Sequence, residues 1–127
     1  MKTIDINAFV NSYLHTASWV ECEPGECTDF TKEAKGIAKY DCLQFIELCK
    51  EEFGEEKAMD LLTMPGNDLE YLAPHDLYLT RNRHGAGFWD KEQWYGKKWA
   101  AKLTELAIEM GESTAYHVRG RKSKLTF

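Results

Sequence analysis

The sequence predicts an α+β fold: N-terminal helices, then a small antiparallel sheet, a hairpin plus one or two C-terminal strands, packed against a long helix. Three observations predict it. Apolar residues recur at helical spacing through the first half and again after residue 91. The run HDLYLTR at residues 75–81 breaks that period and is rich in strand formers. Gly120 separates two short stretches, 114–119 and 125–127, that read as strands. The chain has 127 residues, 43% of them hydrophobic and sixteen of them aromatic. That is the size of one domain, residues 1–127, with enough apolar surface for one core without staples.

The first helix is expected from Asp5 or Asn7, either of which can cap it. Ile6, Val10, Tyr13, Ala17 and Val20 then line one face. Glu23-Pro24-Gly25-Glu26 reads as a turn. Thr28 and Asp29 are the candidate caps of a second helix, whose stripe is Ala38, Cys42, Phe45, Cys49 and Phe53 and which Gly54 can end. A third helix, 55–63, stops before Met64-Pro65-Gly66, because proline cannot continue it. Strands at 75–81 and 86–89 would flank a tight Asn82-Arg83-His84-Gly85 turn. A long helix from about residue 91 carries Tyr95, Trp99, Leu103, Leu106 and Met110 on one face and ends at Gly111.

Charge and cysteines narrow the function classes. Residues 1–76 hold six Lys/Arg and sixteen Asp/Glu, a net −10; residues 77–127 hold ten and five, a net +5. Such halves can attract each other inside one fold, or steer partners. No run of eighteen apolar residues exists, so no membrane span is expected. The N-terminus does not read as a signal peptide, so the cytoplasm is the expected location. Cys22, Cys27, Cys42 and Cys49 match no usual zinc spacing; buried or loop thiols are expected, with a zinc site or a Cys22–Cys27 disulfide as the alternatives.

Residues 79–90, LTRNRHGAGFWD, concentrate unlike properties. Arg81, Arg83 and His84 bring donors and positive charge. Gly85 and Gly87 bring backbone freedom. Phe88, Trp89, Trp94, Tyr95 and Trp99 form an aromatic cluster beside Asp90. A glycine-relaxed loop flanked by Arg and His can hold an anion or carboxylate. The same residues also suit a hairpin turn with a core anchor and a helix cap at Asp90. The segment lacks the GK[ST] of a phosphate-binding loop and the G-x-G-x-x-G spacing of a dinucleotide site.

The segment resembles the shared motif of a family of small uncharacterised bacteriophage and prophage proteins, L-T-R-N-x-H-G-A-G-F-W-D. The match covers Leu79 to Asn82 and His84 to Asp90, with His75-Asp76 in the lead-in and Asp41-Cys42 followed by Phe45 upstream. Leu103-Thr104, Ala107 and Gly111-Glu112 extend it downstream. Pro74 and Arg83 stand where the family tends to have glycine. The resemblance implies a phage origin, hence a host cytoplasm, and no reaction.

The functional expectation is a non-enzymatic accessory protein that binds a host protein or a nucleic acid, modulating host or defence machinery. Its binding residues would be Arg81, Asn82 and His84 at the polar tip, with Trp89 and Asp90 as neighbours. The basic run Arg119, Arg121, Lys122 and Lys124 gives four positive charges in six residues and fits a nucleic-acid partner. The alternative is an enzyme: Asp41-Cys42-x-x-Phe45 followed by His75 superficially resembles the order of papain-like cell-wall peptidases, whose chemistry needs a thiolate activated by histidine. A metal site from His75, Asp76, His84 and Asp90 is the other alternative, although the spacing fixes none. No cofactor is expected.

Overall fold

The structure, a computed structural model, describes residues 2–23, 29–66 and 68–127, the side chains of 122 and 123 excepted. It is mostly helical. Helix α1 (Ile6–Glu21) is followed by the two-residue strand β1 (Asp29–Phe30), α2 (Lys32–Phe53), α3 (Glu55–Leu62) and α4 (Ala73–Arg81). A 3-10 turn (Phe88–Asp90), α5 (Glu92–Tyr95) and α6 (Lys97–Glu109) precede strands β2 (Tyr116–Val118) and β3 (Arg121–Thr126).

Local chemistry explains most boundaries. The Asp5 carboxylate accepts from the Asn7 and Ala8 amides at 3.1 and 3.3 Å, the cap expected for α1. The Thr31 hydroxyl, not Asp29, caps α2, accepting from the Ala34 amide at 3.0 Å, and Thr28 lies outside the described residues. Asp29 instead lies in β1. Gly54, at φ 87°, ends α2 and starts α3, its amide donating to the Lys50 carbonyl and its carbonyl accepting from the Ala58 amide. The expected turn at 24–26 and Cys27 lie outside the described residues; Cys22 is disulfide-bonded, the alternative to the expected loop thiol. Cys42 and Cys49 are free thiols inside the core.

The run 75–81 is a helix, not a strand. Pro74 sits in the first turn of α4, where a missing N–H costs nothing. Every residue of α4 except His75 is buried, so no polar face betrays the helical period. The expected hairpin over 75–89 therefore does not form. The expected single long helix is two helices, because Gly96 at φ 93° breaks it.

The sheet is mixed, in the order β1-β3-β2. β2 and β3 pair antiparallel around Gly120, as expected; β1 adds in parallel. It packs on α2 through β3. Leu125 is fully buried, and Phe127 stacks on Phe30 at 5.9 Å between ring centres. Helices α1 and α4 cross at the centre of the core, where Tyr13 meets Tyr78 edge to face at 5.4 Å. No described helix is long and apolar enough to cross a membrane.

Candidate functional site

The motif turns inward. Arg81, only 4% exposed, reaches back from the end of α4. Its guanidinium donates to the Asp41 carboxylate at 2.8 Å, to the Tyr13 hydroxyl at 3.2 Å, and to the carbonyls of Gly111 and Met110 at 2.8 and 3.3 Å. One side chain thus joins α1, α2 and α4 and caps the open carbonyl end of α6. Asn82 is buried beside it. Its amide donates to the carbonyls of Tyr78 and Ser113, and its oxygen accepts from the Ser113 amide at 2.8 Å and the Thr114 hydroxyl at 3.2 Å. Asn82 ties the strand-bound chain after α6 to the end of α4.

The turn that follows is equally committed. The Thr80 hydroxyl accepts from the Phe88 amide at 3.0 Å. Gly87, at φ 137°, lies so close over Thr80 that any Cβ would collide with Thr80 Oγ1. Asp90 closes the 3-10 turn, accepting from the Gly87 amide at 3.1 Å, rather than capping the long helix. Arg83 holds a left-handed φ of 56°. Asp76 is fully buried, with Lys91 and the Tyr95 hydroxyl each donating to it at 2.7 Å. That pair anchors the 3-10 turn and α5 onto α4. Burial pushes the Asp76 carboxyl above the usual carboxylate range, against the pull of Lys91 and Tyr95.

The five sequence-predicted site residues therefore divide. Arg81 and Asn82 are buried structural ties rather than an exposed tip. His84 is at the surface, stacked on Tyr78 at 6.0 Å with Nε2 3.6 Å from a Glu21 carboxylate oxygen. Trp89 is half exposed and lines a shallow apolar groove of about 250 Å³ with Ala86, Thr104 and Ile108. Asp90 is exposed beside it. Arg83, also exposed, pairs with Glu112 at 3.3 Å.

The hydrolase arrangement does not assemble. Cys42 is fully buried inside α2, and burial raises its thiol pKa strongly, the opposite of an activated thiolate. His75 Nδ1 lies 3.0 Å from the Thr16 hydroxyl. Among the described residues, no group of three His, Cys, Asp or Glu side chains is placed to hold a metal ion.

Two other surfaces stand out instead. One is the β2–β3 hairpin. From Ser113 to Phe127 the chain carries Arg119, Arg121, Lys122 and Lys124 and no Asp or Glu. Arg119 and Arg121 are exposed, and the hairpin is held by Leu125 in the core. The basic run lies on the β2–β3 strand pair and the turn that joins its strands. The other is a cleft of about 390 Å³ between α1, the start of α4 and the residues Gly66, Asp68 and Leu69, with Trp19, His75, Leu72 and Lys91 also in its walls. Its residues are scattered over four segments, so no sequence pattern could have announced it. Compared with protein-family models, curated proteins and solved structures, the chain finds no match.

Proposed function

We propose that the chain is a phage-encoded, non-enzymatic accessory protein that binds nucleic acid through its C-terminal β-hairpin, acting on the host machinery that handles that nucleic acid. The phage assignment rests on the motif resemblance. The binding reading rests on one observation: a hairpin fixed to the core that exposes Arg119 and Arg121 and has no Asp or Glu of its own, Asp29 of β1 lying beside Lys124, on a molecule whose net charge is −5. The rest of the chain outside the hairpin is strongly acidic, so a polyanion is attracted to one face and repelled from the others. Each phosphate neutralised by Lys or Arg releases condensed counterions, which supplies sequence-independent affinity. Exposed Tyr116 on β2 adds an aromatic face for an unpaired base.

The test is fluorescence anisotropy with labelled single- and double-stranded oligonucleotides over a salt series. Binding at low salt is expected, with log Kd rising against log salt by roughly 0.7 to 0.9 per phosphate neutralised. The pair Arg119→Gln and Arg121→Gln should flatten that slope by roughly 1.4 to 1.8. A wild-type protein that binds neither oligonucleotide at low salt defeats the reading.

A further inference from the structure

The cleft beside Trp19 has a chemistry distinct from the hairpin. Thr16 has one hydroxyl proton, and it goes to the Ser12 carbonyl at 2.9 Å. The 3.0 Å contact between Thr16 Oγ1 and His75 Nδ1 must therefore be donated by the imidazole. That fixes the His75 tautomer: Nδ1 carries the proton, and Nε2 keeps its lone pair. Burial lowers the His75 pKa, with Lys91 and His15 adding to it and Asp76 and Asp90 opposing, so the ring stays neutral at physiological pH. No described residue donates to Nε2, and His75 lines the cleft.

The remaining walls select the ligand class. Trp19 is two-thirds exposed, its ring 5.9 Å from that of His75 and tilted 36° to it. Leu69 and Leu72 supply apolar lining. The cleft holds about 390 Å³, at the small end of the range for ligand pockets. Lys91 gives no free positive charge, because Asp76 holds its ammonium at 2.7 Å, and Asp68 adds a carboxylate. An anion would find no unpaired lysine or arginine among these groups. A neutral planar ring with a donor on its rim fits every wall.

We infer that this cleft binds a neutral, planar heteroaromatic ring of the nucleobase type, stacked on Trp19 and donating a hydrogen bond from an exocyclic amino group to His75 Nε2. The site stands independently of the hairpin: it needs no phosphate, and its ligand is a small molecule.

Two probes with one ring system separate the contributions. 9-Methyladenine carries the amino donor and 9-methylpurine lacks it. Chemical-shift titration of the full chain should move the resonances of Trp19, His75, Leu69 and Leu72 with 9-methyladenine. 9-Methylpurine should bind roughly three- to tenfold more weakly, the worth of one hydrogen bond. His75→Phe should abolish that difference between the probes, and Trp19→Ala should weaken 9-methyladenine roughly tenfold or more. Trp19 is exposed, so its replacement leaves the fold intact; Trp94→Ala, another exposed indole, should change nothing. Absence of shifts at low-millimolar probe, shifts centred elsewhere, or equal affinity of the two probes for wild type would each overturn the inference. The titration contains no phosphate, so its failure leaves the hairpin reading standing, and the reverse holds too.

Discussion

Residues 79–90 and residues 113–127 are both rich in cations, and the fold uses them in opposite ways. In the first segment the charge is consumed. Arg81 is surrounded by one carboxylate, one hydroxyl and two carbonyls, and Asn82 satisfies both ends of its amide within the protein. In the second, Arg119 and Arg121 project to solvent with no acidic residue near them in sequence. A dense, distinctive motif can be the device that joins helices, while a plain basic run is the surface free to meet a partner. Charge is available for binding only where the fold has not already paired it.

The largest effect that tests the contrast is Arg81→Ala. It leaves the Asp41 carboxylate and two carbonyls without their donor, and should cost about 3–5 kcal/mol, measured by urea unfolding. A loss below about 1 kcal/mol would mean the motif is not a structural tie. Gly87→Ala follows. Its Cβ meets Thr80 Oγ1, and φ 137° is closed to alanine, so about 2–4 kcal/mol should be lost with the Phe88–Thr80 hydrogen bond. Arg83→Gly should act the other way. It relieves a left-handed residue at the cost of an exposed ion pair worth little, giving a gain of about 0.5–1 kcal/mol in the same assay. A loss instead would show that Arg83 holds something beyond Glu112.

The smallest effect is in pH. The folded-state pKa of His75 lies below its ordinary 6.5, so the unfolded chain takes up that proton more readily. The stability contributed by neutral His75 is complete above pH 6.5 and is lost as pH falls through the folded pKa. Asp76 has the opposite sign, since a raised carboxyl pKa favours the fold when protonated. From neutral to mildly acid pH, the wild-type urea midpoint should lose ground relative to that of His75→Gln.

The contrast also explains what the sequence could disclose. Caps and breakers were legible: Asp5, Gly54, Pro65 and Gly120 act on backbone geometry within a few residues, and each boundary they imply is present to within a residue or two. Helix α4 was not, because Leu77, Tyr78, Leu79 and Thr80 are all buried and a helix without a solvent face has no visible period. Pro74 held the missed signal, since proline two residues into a helix is favoured as well as tolerated. The break at Gly96 was hidden because Tyr95, Trp99 and Leu103 keep helical spacing across it. Arg81 and Asn82 were legible as important but not as buried: their partners, at Tyr13, Asp41, Met110 and Ser113, come from remote parts of the chain. The Trp19 cleft is assembled by tertiary packing alone.

The most direct measurement compares nucleic-acid binding of wild type, the Arg119→Gln and Arg121→Gln pair, and Arg83→Gly, by anisotropy at low and moderate salt. Arg83 is the exposed cation of the motif, and the hairpin arginines are exposed cations outside it. The expected result is weakened, less salt-sensitive binding for the hairpin pair and unchanged binding for Arg83→Gly, with all three proteins folded. Undiminished binding by the hairpin pair, or its loss in Arg83→Gly, would contradict the account.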